Sequence, residues 1–229
     1  MPRRFRNLMP VHTPYIPPSD PLTFLHVDEW LIVADKPAGL LSVPGRGPEK
    51  ADCARSRAEE AFPGALTVHR LDMATSGLLL FARTPDIQRA LSMAFEQGQI
   101  EKAYLADVWM GPEEASGLID LPLIADWPNR PRQKVDHDIG KPSQTRFEVI
   151  DRHAAASRVK LTPLTGRSHQ LRVHMAELGH PILGDQLYAH DVARNMVRRL
   201  HLHASELGFR HPGTGDTIHF TAPCPFEVP

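Results

Sequence analysis

The chain has 229 residues, 41% hydrophobic and 23% charged, with a formal net charge of -1. These are the values of an ordinary globular protein able to bury a substantial core. With no overall basic excess, any nucleic-acid binding must gather positive charge on one face. Cys53 and Cys224 are too few and too far apart for a zinc-ligand pattern or a disulfide framework, and read as free thiols in a reducing compartment. No 18-residue apolar run and no signal-peptide core are found, so a cytoplasmic location without membrane association is expected.

Residues 1–21 carry Arg3, Arg4 and Arg6 and then Pro10, Pro14, Pro17, Pro18 and Pro21. That proline density precludes a helix and predicts an extended arm, either an unstructured tail or a basic arm touching phosphates. Residues 22–27 and 30–34 read as short strands around Asp28-Glu29, with a turn at 35–39 and extended chain at 40–45. A weak helix is predicted over 50–62, ending before Pro63-Gly64. Strand, turn-rich loop and a wholly apolar strand follow across 66–82.

Thr84-Pro85-Asp86 marks a helix start with Thr84 as N-cap, and Gly98 marks its end. Residues 101–109 alternate like a half-buried strand, and 117–124 is extended. A loop at 126–134 holds Trp127, Arg130, Arg132 and Lys134 between prolines. Residues 144–151 and 157–164 read as a hairpin. A helix is predicted over 165–178, with Ser168 as N-cap and Gly179 as its stop. Strands resume at 201–209 and 217–222. Many strands with few helices predict an α+β fold with a largely antiparallel sheet.

The chemistry centres on His69-Arg70-Leu71-Asp72, directly before the apolar run 78–82. A carboxylate serves as nucleophile or base only where it stays ionised in a partly dry pocket, and a nearby cation supplies that bias. Arg167, a cation at the unfavourable end of the predicted helix, is a candidate partner for Asp72. Tyr104 reads either as a core residue with a wet hydroxyl or as a flat platform for a base. The 13 histidines show no metal-ligand spacing with Cys or acidic partners, so no metal is expected. No Walker or Gly-x-Gly-x-x-Gly loop supports a nucleotide cofactor. Arg130, Arg132 and Lys134, with Arg194, Arg198 and Arg199 as a second cluster, give the uneven field suited to a phosphate backbone.

The segment His69-Arg70-Leu71-Asp72-Met73-Ala74-Thr75-Ser76-Gly77 resembles the signature of RluA-type pseudouridine synthases. So do Asp35-Lys36-Pro37-Ala38-Gly39, Lys102-Ala103-Tyr104-Leu105-Ala106, Thr165-Gly166-Arg167-Ser168-His169-Gln170-Leu171-Arg172-Val173-His174, Gly179-His180-Pro181-Ile182-Leu183-Gly184-Asp185 and Leu202-His203-Ala204, in family order. The resemblance covers about residues 22–223, and the block 120–134 narrows it to the RluA subgroup, in which no S4-like RNA-binding domain precedes the catalytic part.

The resemblance implies the pseudouridine synthase fold: a mixed, mainly antiparallel sheet with helices around a central cleft, here over 22–229. It implies isomerisation of uridines in structured RNA loops, in large-subunit ribosomal RNA, the tRNA anticodon arm or both. A monomer needing neither cofactor, metal nor protein partner is expected. Asp72 would be the catalytic carboxylate, either adding to the sugar or removing its C2′ proton. Tyr104 would stack on the base, Arg167 would pair with Asp72, and Leu202 would pack on the base's other side. His69, Arg130, Arg132 and Lys134 are expected among the substrate contacts. Arg70 would enter the RNA in place of the flipped uridine. Two rival readings are a non-catalytic RNA clamp, in which Asp72, Tyr104 and Arg167 need not meet, and a paired-carboxylate hydrolase, for which no second acid stands out.

Overall fold

The computed structural model of the protein describes residues 14–229, so Arg3, Arg4, Arg6 and the expected phosphate contact of the arm lie outside the described residues. The described end of the arm is tied down. Tyr15 donates its hydroxyl to the Asp52 carbonyl at 3.0 Å and accepts the Leu41 amide at 3.1 Å. Arg57 donates to the carbonyls of Pro18 and Asp20 at 2.6 and 2.7 Å.

Beyond the arm the order is β1 (Thr23–Val27), β2 (Leu31–Lys36), α1 (Ala54–Ala61), β3 (Leu66–Thr67), β4 (Ser76–Ala82), α2 (Pro85–Glu96) and β5 (Glu101–Trp109). Then come β6 (Ser116–Asp120), β7 (Leu123–Ala125), β8 (Gln133–Val135), β9 (Gln144–Arg152) and β10 (Ala156–Pro163). Two short helices, α3 (Gln170–Glu177) and α4 (Asp191–Asn195), precede β11 (Leu202–Arg210) and β12 (Thr217–Thr221). The expected α+β class holds. The main sheet runs β1-β2-β4-β11-β5-β10-β9-β6, with β12 added on β11 and β3 on β4, and β7 and β8 form a separate hairpin.

Local chemistry explains the helix ends. Thr84 caps α2 through the Ile87 amide, with Pro85 in the first turn, as its sequence predicts. Helix α3 differs: it starts at Gln170 rather than near Thr165, and Ser168 does not cap it. His169, at φ 54° and ψ 16°, adopts a left-handed conformation that no regular helix continues through. The Gln170 side chain ties the turn before it, accepting from the Arg167 amide and the Thr165 hydroxyl at 2.9 and 2.8 Å.

The sheet centre positions the site. Every residue of β4 is buried, and each of its large apolar side chains contributes about 2–3 kcal/mol by leaving water. Strand β4 runs parallel to β11, His203 opposite Ser76 and Ala204 opposite Gly77. The other strand pairings among the described residues are antiparallel. Gly77, at φ 110°, lies where a Cβ would run into the Ala204 backbone, so only glycine fits there. Strand β11 also pairs with β5, setting Ala204 opposite Tyr104.

Candidate active site

Asp72 sits in the loop from β3 to β4, and its two neighbours are clamped through their main chains. Ser42 donates its hydroxyl to the Leu71 carbonyl at 2.8 Å and accepts the Leu71 amide at 3.0 Å. The Met73 carbonyl accepts from the Gly39 amide at 2.8 Å and from Lys36 Nζ at 3.2 Å. Lys36 is fully buried and also donates to the carbonyls of Pro37 and Leu40. Burial, reinforced by Arg199 and opposed by Asp72 and Asp35, holds its ammonium down at about 7. Turn 35–42 is therefore the mould in which the Asp72 loop is set.

The Asp72 carboxylate, about a quarter exposed at 28%, receives Nη1 of Arg172 at 3.0 Å. Arg172 is buried, and Asp185 grips its other edge with two bonds of 2.8 Å. Asp185 is held in turn by the amides of Leu187 and Tyr188. Burial works against the guanidinium's charge, but Asp185 and then Asp72 outweigh it and push its pKa further up. A fully ionised Arg172 with a fixed planar fork thus orients the one carboxylate left open to solvent. His169 Nε2 lies 3.7 Å from the same Asp72 oxygen.

Tyr104, on β5, packs against two core clusters, one holding Leu161 and Leu202 and the other Leu71, Leu79 and Ala204. Burial first, and the negative field of Asp72 second, raise the pKa of its phenol, so the hydroxyl stays protonated. A partly exposed carboxylate fixed by a cation, beside an aromatic face with a neutral hydroxyl, can engage one flat polar ring.

A family model described as RNA pseudouridylate synthase matches residues 30–177. The chain belongs to the RNA pseudouridylate synthase family. It is 51% identical over 214 residues to the dual-specificity RNA pseudouridine synthase RluA of Escherichia coli (strain K12), covering 93% of this chain and 98% of that protein. The protein of the same description from Yersinia pestis is 52% identical over 203 residues, covering 88% of this chain and 98% of that one. The solved structure of human RNA pseudouridylate synthase domain containing 1 superposes with a TM-score of 0.76 at 27% identity, over 93% of this chain and 88% of that chain. The enzyme is accordingly an isomerase that converts uridine in RNA to pseudouridine.

In this pseudouridine synthase the expected pairing of Arg167 with Asp72 does not form. Arg167 is exposed and spends its Nε on the Pro142 carbonyl at 3.2 Å. The late start of α3 leaves it in the turn before the helix, while Arg172, five residues on, is buried within the helix and meets Asp72. The sequence carries a faint signal for this: Arg172 stands between Leu171 and Val173, in a helix whose first six residues are all buried. A buried cation demands a carboxylate partner, whereas an exposed one does not.

His69 also differs from its expected substrate contact. Its Nε2 accepts the Leu80 amide at 3.0 Å and its ring stacks on Phe95 with centroids 4.4 Å apart. Burial pushes its pKa down to about 3, with Lys102 adding to the effect. It is a neutral brace holding the loop to β4. Leu202, expected to pack on the base, is 3% exposed and belongs to the core cluster against which Tyr104 packs. Arg70 points to solvent beside Asp72. Arg130 covers the Trp127 ring at 4.4 Å, Arg132 covers Tyr188 at 5.3 Å, and Lys134 pairs with Asp136 at 3.2 Å. The β7–β8 hairpin that carries these cations reaches the active-site neighbourhood through Tyr188.

Proposed function

We propose that Asp72 is the reacting carboxylate for a uridine flipped out of a structured RNA loop. The observation that carries this is the Arg172–Asp72 ion pair at 3.0 Å, in a loop whose neighbours are clamped on both sides, next to a protonated Tyr104. A nucleophile or base must be held within a few tenths of an ångström to act, and such clamping supports that role. The reaction breaks the N1–C1′ bond, turns the freed uracil, and joins C1′ to C5. The C5 proton is lost and N1 takes one up, so neither redox nor phosphoryl chemistry enters. Asp72 serves either by adding to C1′ or by removing the C2′ proton, and Tyr104 offers its ring to the base and its hydroxyl to the proton traffic.

Arg70, exposed two residues before Asp72, would fill the space left in the RNA stack. Unstacking the uridine costs about a few kcal/mol, and such a wedge offsets part of it. Arg130, Arg132 and Lys134 would hold phosphates. The words dual-specificity in the names of the 51–52% identical relatives support more than one RNA substrate, and we take the substrates to be structured loops of large-subunit ribosomal RNA, the tRNA anticodon arm or both. We take the enzyme to act as a cytoplasmic monomer without a protein partner.

Asp72→Asn should reduce pseudouridine formation below detection while a stem-loop RNA still binds. Turnover near that of the unaltered enzyme would overturn the assignment. Pseudouridine mapping of ribosomal RNA and tRNA from cells with and without the gene identifies the sites: loss in one RNA class alone would refute dual use.

A further inference from the structure

Tyr188 lies between the Asp185 turn and α4 and is half-buried. Its hydroxyl accepts the Gln133 amide of β8 at 2.8 Å and meets His169 Nδ1 at 2.6 Å. A backbone N–H can only donate, so the Gln133 bond occupies one lone pair and leaves the hydroxyl proton free to be given to His169. With that proton donated to Nδ1, the ring's own proton is on Nε2, the nitrogen 3.7 Å from Asp72 Oδ2. The Tyr188 ring meanwhile lies 5.1 Å from the Arg172 guanidinium carbon and 5.3 Å from that of Arg132. Its own amide bonds Asp185, the carboxylate that grips Arg172. One residue thus touches the cationic hairpin, both Arg172 and Asp185 of the ion-pair chain, and the second nitrogen-bearing neighbour of Asp72.

The backbone supports a functional reason for the contact. His169 is one of two non-glycine residues with positive φ among the described residues, and that turn is what swings its ring between Tyr188 and Asp72. Burial, only partly opposed by Asp72, lowers the His169 pKa. The ring near neutral pH is then a neutral imidazole with one N–H to give.

We propose that Tyr188 is a positioning residue: it fastens the β7–β8 hairpin to His169 and fixes that ring as an Nε2–H donor aimed at Asp72. This rests on the reading of Asp72 as the reacting carboxylate. When RNA seats on the hairpin, the Gln133–Tyr188–His169 chain moves as one, and Nε2 closes from 3.7 Å to hydrogen-bonding distance of about 2.8–3.0 Å. The carboxylate is then held by two donors, Arg172 and His169, only when substrate is present.

Tyr188→Phe keeps the ring and its two guanidinium neighbours and removes only the hydroxyl. At saturating RNA its kcat should fall about tenfold, a size typical of losing one oriented donor, with the RNA dissociation constant within about twofold. Nitrogen-15 NMR should show His169, assigned by its loss in His169→Asn, as the Nε2–H tautomer in the unaltered enzyme and as a mixture in Tyr188→Phe. A structural role alone would not change the tautomer. His169→Asn, which tolerates the left-handed backbone, should lose kcat to a similar extent, and the double variant should be no slower than the slower single. Unchanged kcat in Tyr188→Phe, losses that multiply in the double variant, or an unaltered tautomer would each overturn the proposal. Asp72→Asn run alongside separates the two readings. If it is inactive while Tyr188→Phe is at full speed, the positioning role alone fails. If Asp72→Asn is active, the assignment of the carboxylate fails.

Discussion

Replacing Arg172 and Arg167 one at a time by lysine tests which cation serves Asp72. Arg172 makes three bonds to two carboxylates: one of 3.0 Å to Asp72 and two of 2.8 Å to Asp185. Asp185 is fully enclosed, with no exposed side-chain surface, and an uncompensated charge there would cost about 3–5 kcal/mol. A lysine ammonium cannot span both acids, so in Arg172→Lys it should stay with Asp185 and release Asp72. The lost charge-assisted bond to Asp72 is worth about 1.5–3 kcal/mol, or roughly a 10- to 150-fold loss in turnover. Arg167→Lys alters an exposed side chain with a single carbonyl contact, and its kcat should stay within about threefold. The assay is single-turnover pseudouridine formation at saturating RNA, with urea unfolding run in parallel so that a folding defect is not read as a catalytic one. The reasoning is refuted if Arg167→Lys loses as much turnover as Arg172→Lys. It is equally refuted if folded Arg172→Lys retains full speed.

The hairpin, the brace and the central glycine supply three further predictions. Changing Arg130, Arg132 and Lys134 together to alanine should reduce the slope of log binding constant against log salt by about 2–3; an unchanged slope would remove the hairpin from the RNA-binding surface. His69 is neutral when folded, with its pKa near 3, whereas in the unfolded chain it titrates near about 6.5. Its stabilisation is therefore complete above the unfolded value and is lost as pH falls below it, by roughly 2–3 kcal/mol at pH 4.5. His69→Gln, which can still accept the Leu80 amide, should flatten that part of the urea-midpoint profile between pH 7.5 and 4.5. An identical profile would show that His69 does not control it. Gly77→Ala should destabilise by about 3 kcal/mol or more, or prevent soluble expression, because of its positive φ and the backbone it faces. Thermal melting near the unaltered value would contradict the packing described for β4 and β11.

Much of this architecture is legible in the residues themselves. The uninterrupted apolar run of β4, the alternation along β5, β9 and β10, and Thr84-Pro85 at the head of α2 are local signals, and local chemistry decides those elements. The start of α3 is not local. It is decided by the left-handed turn at His169 and by Gln170, whose side chain reaches back to Thr165 and across to the Gln144 carbonyl at 2.9 Å. That boundary, in turn, decides which arginine is buried. Arg167 and Arg172 share one sequence block and one charge, and only tertiary burial separates a surface cation from the partner of Asp72. Asp185 completes the ion-pair chain from a turn thirteen residues later, where nothing in the string Gly184-Asp185 announces a buried carboxylate. His69 shows the converse: a histidine next to a cation and three residues from the acid reads as chemistry, yet its ring belongs to the main chain of β4.

The parallel seam between β4 and β11 carries a consequence for how the enzyme is made. Residues 76 and 203 are opposite one another, so the middle of the sheet is filled by almost the last strand to be synthesised. Until that strand arrives, β5 presents an unpaired edge, β4 is unpaired at Ser76 and Gly77, and Tyr104 has no fixed distance from Asp72. A nascent chain ending before residue 200 is therefore expected to be catalytically silent and prone to self-association. Since loop closure over such a span is slow, the enzyme should gain activity only after its C-terminal strand has left the ribosome.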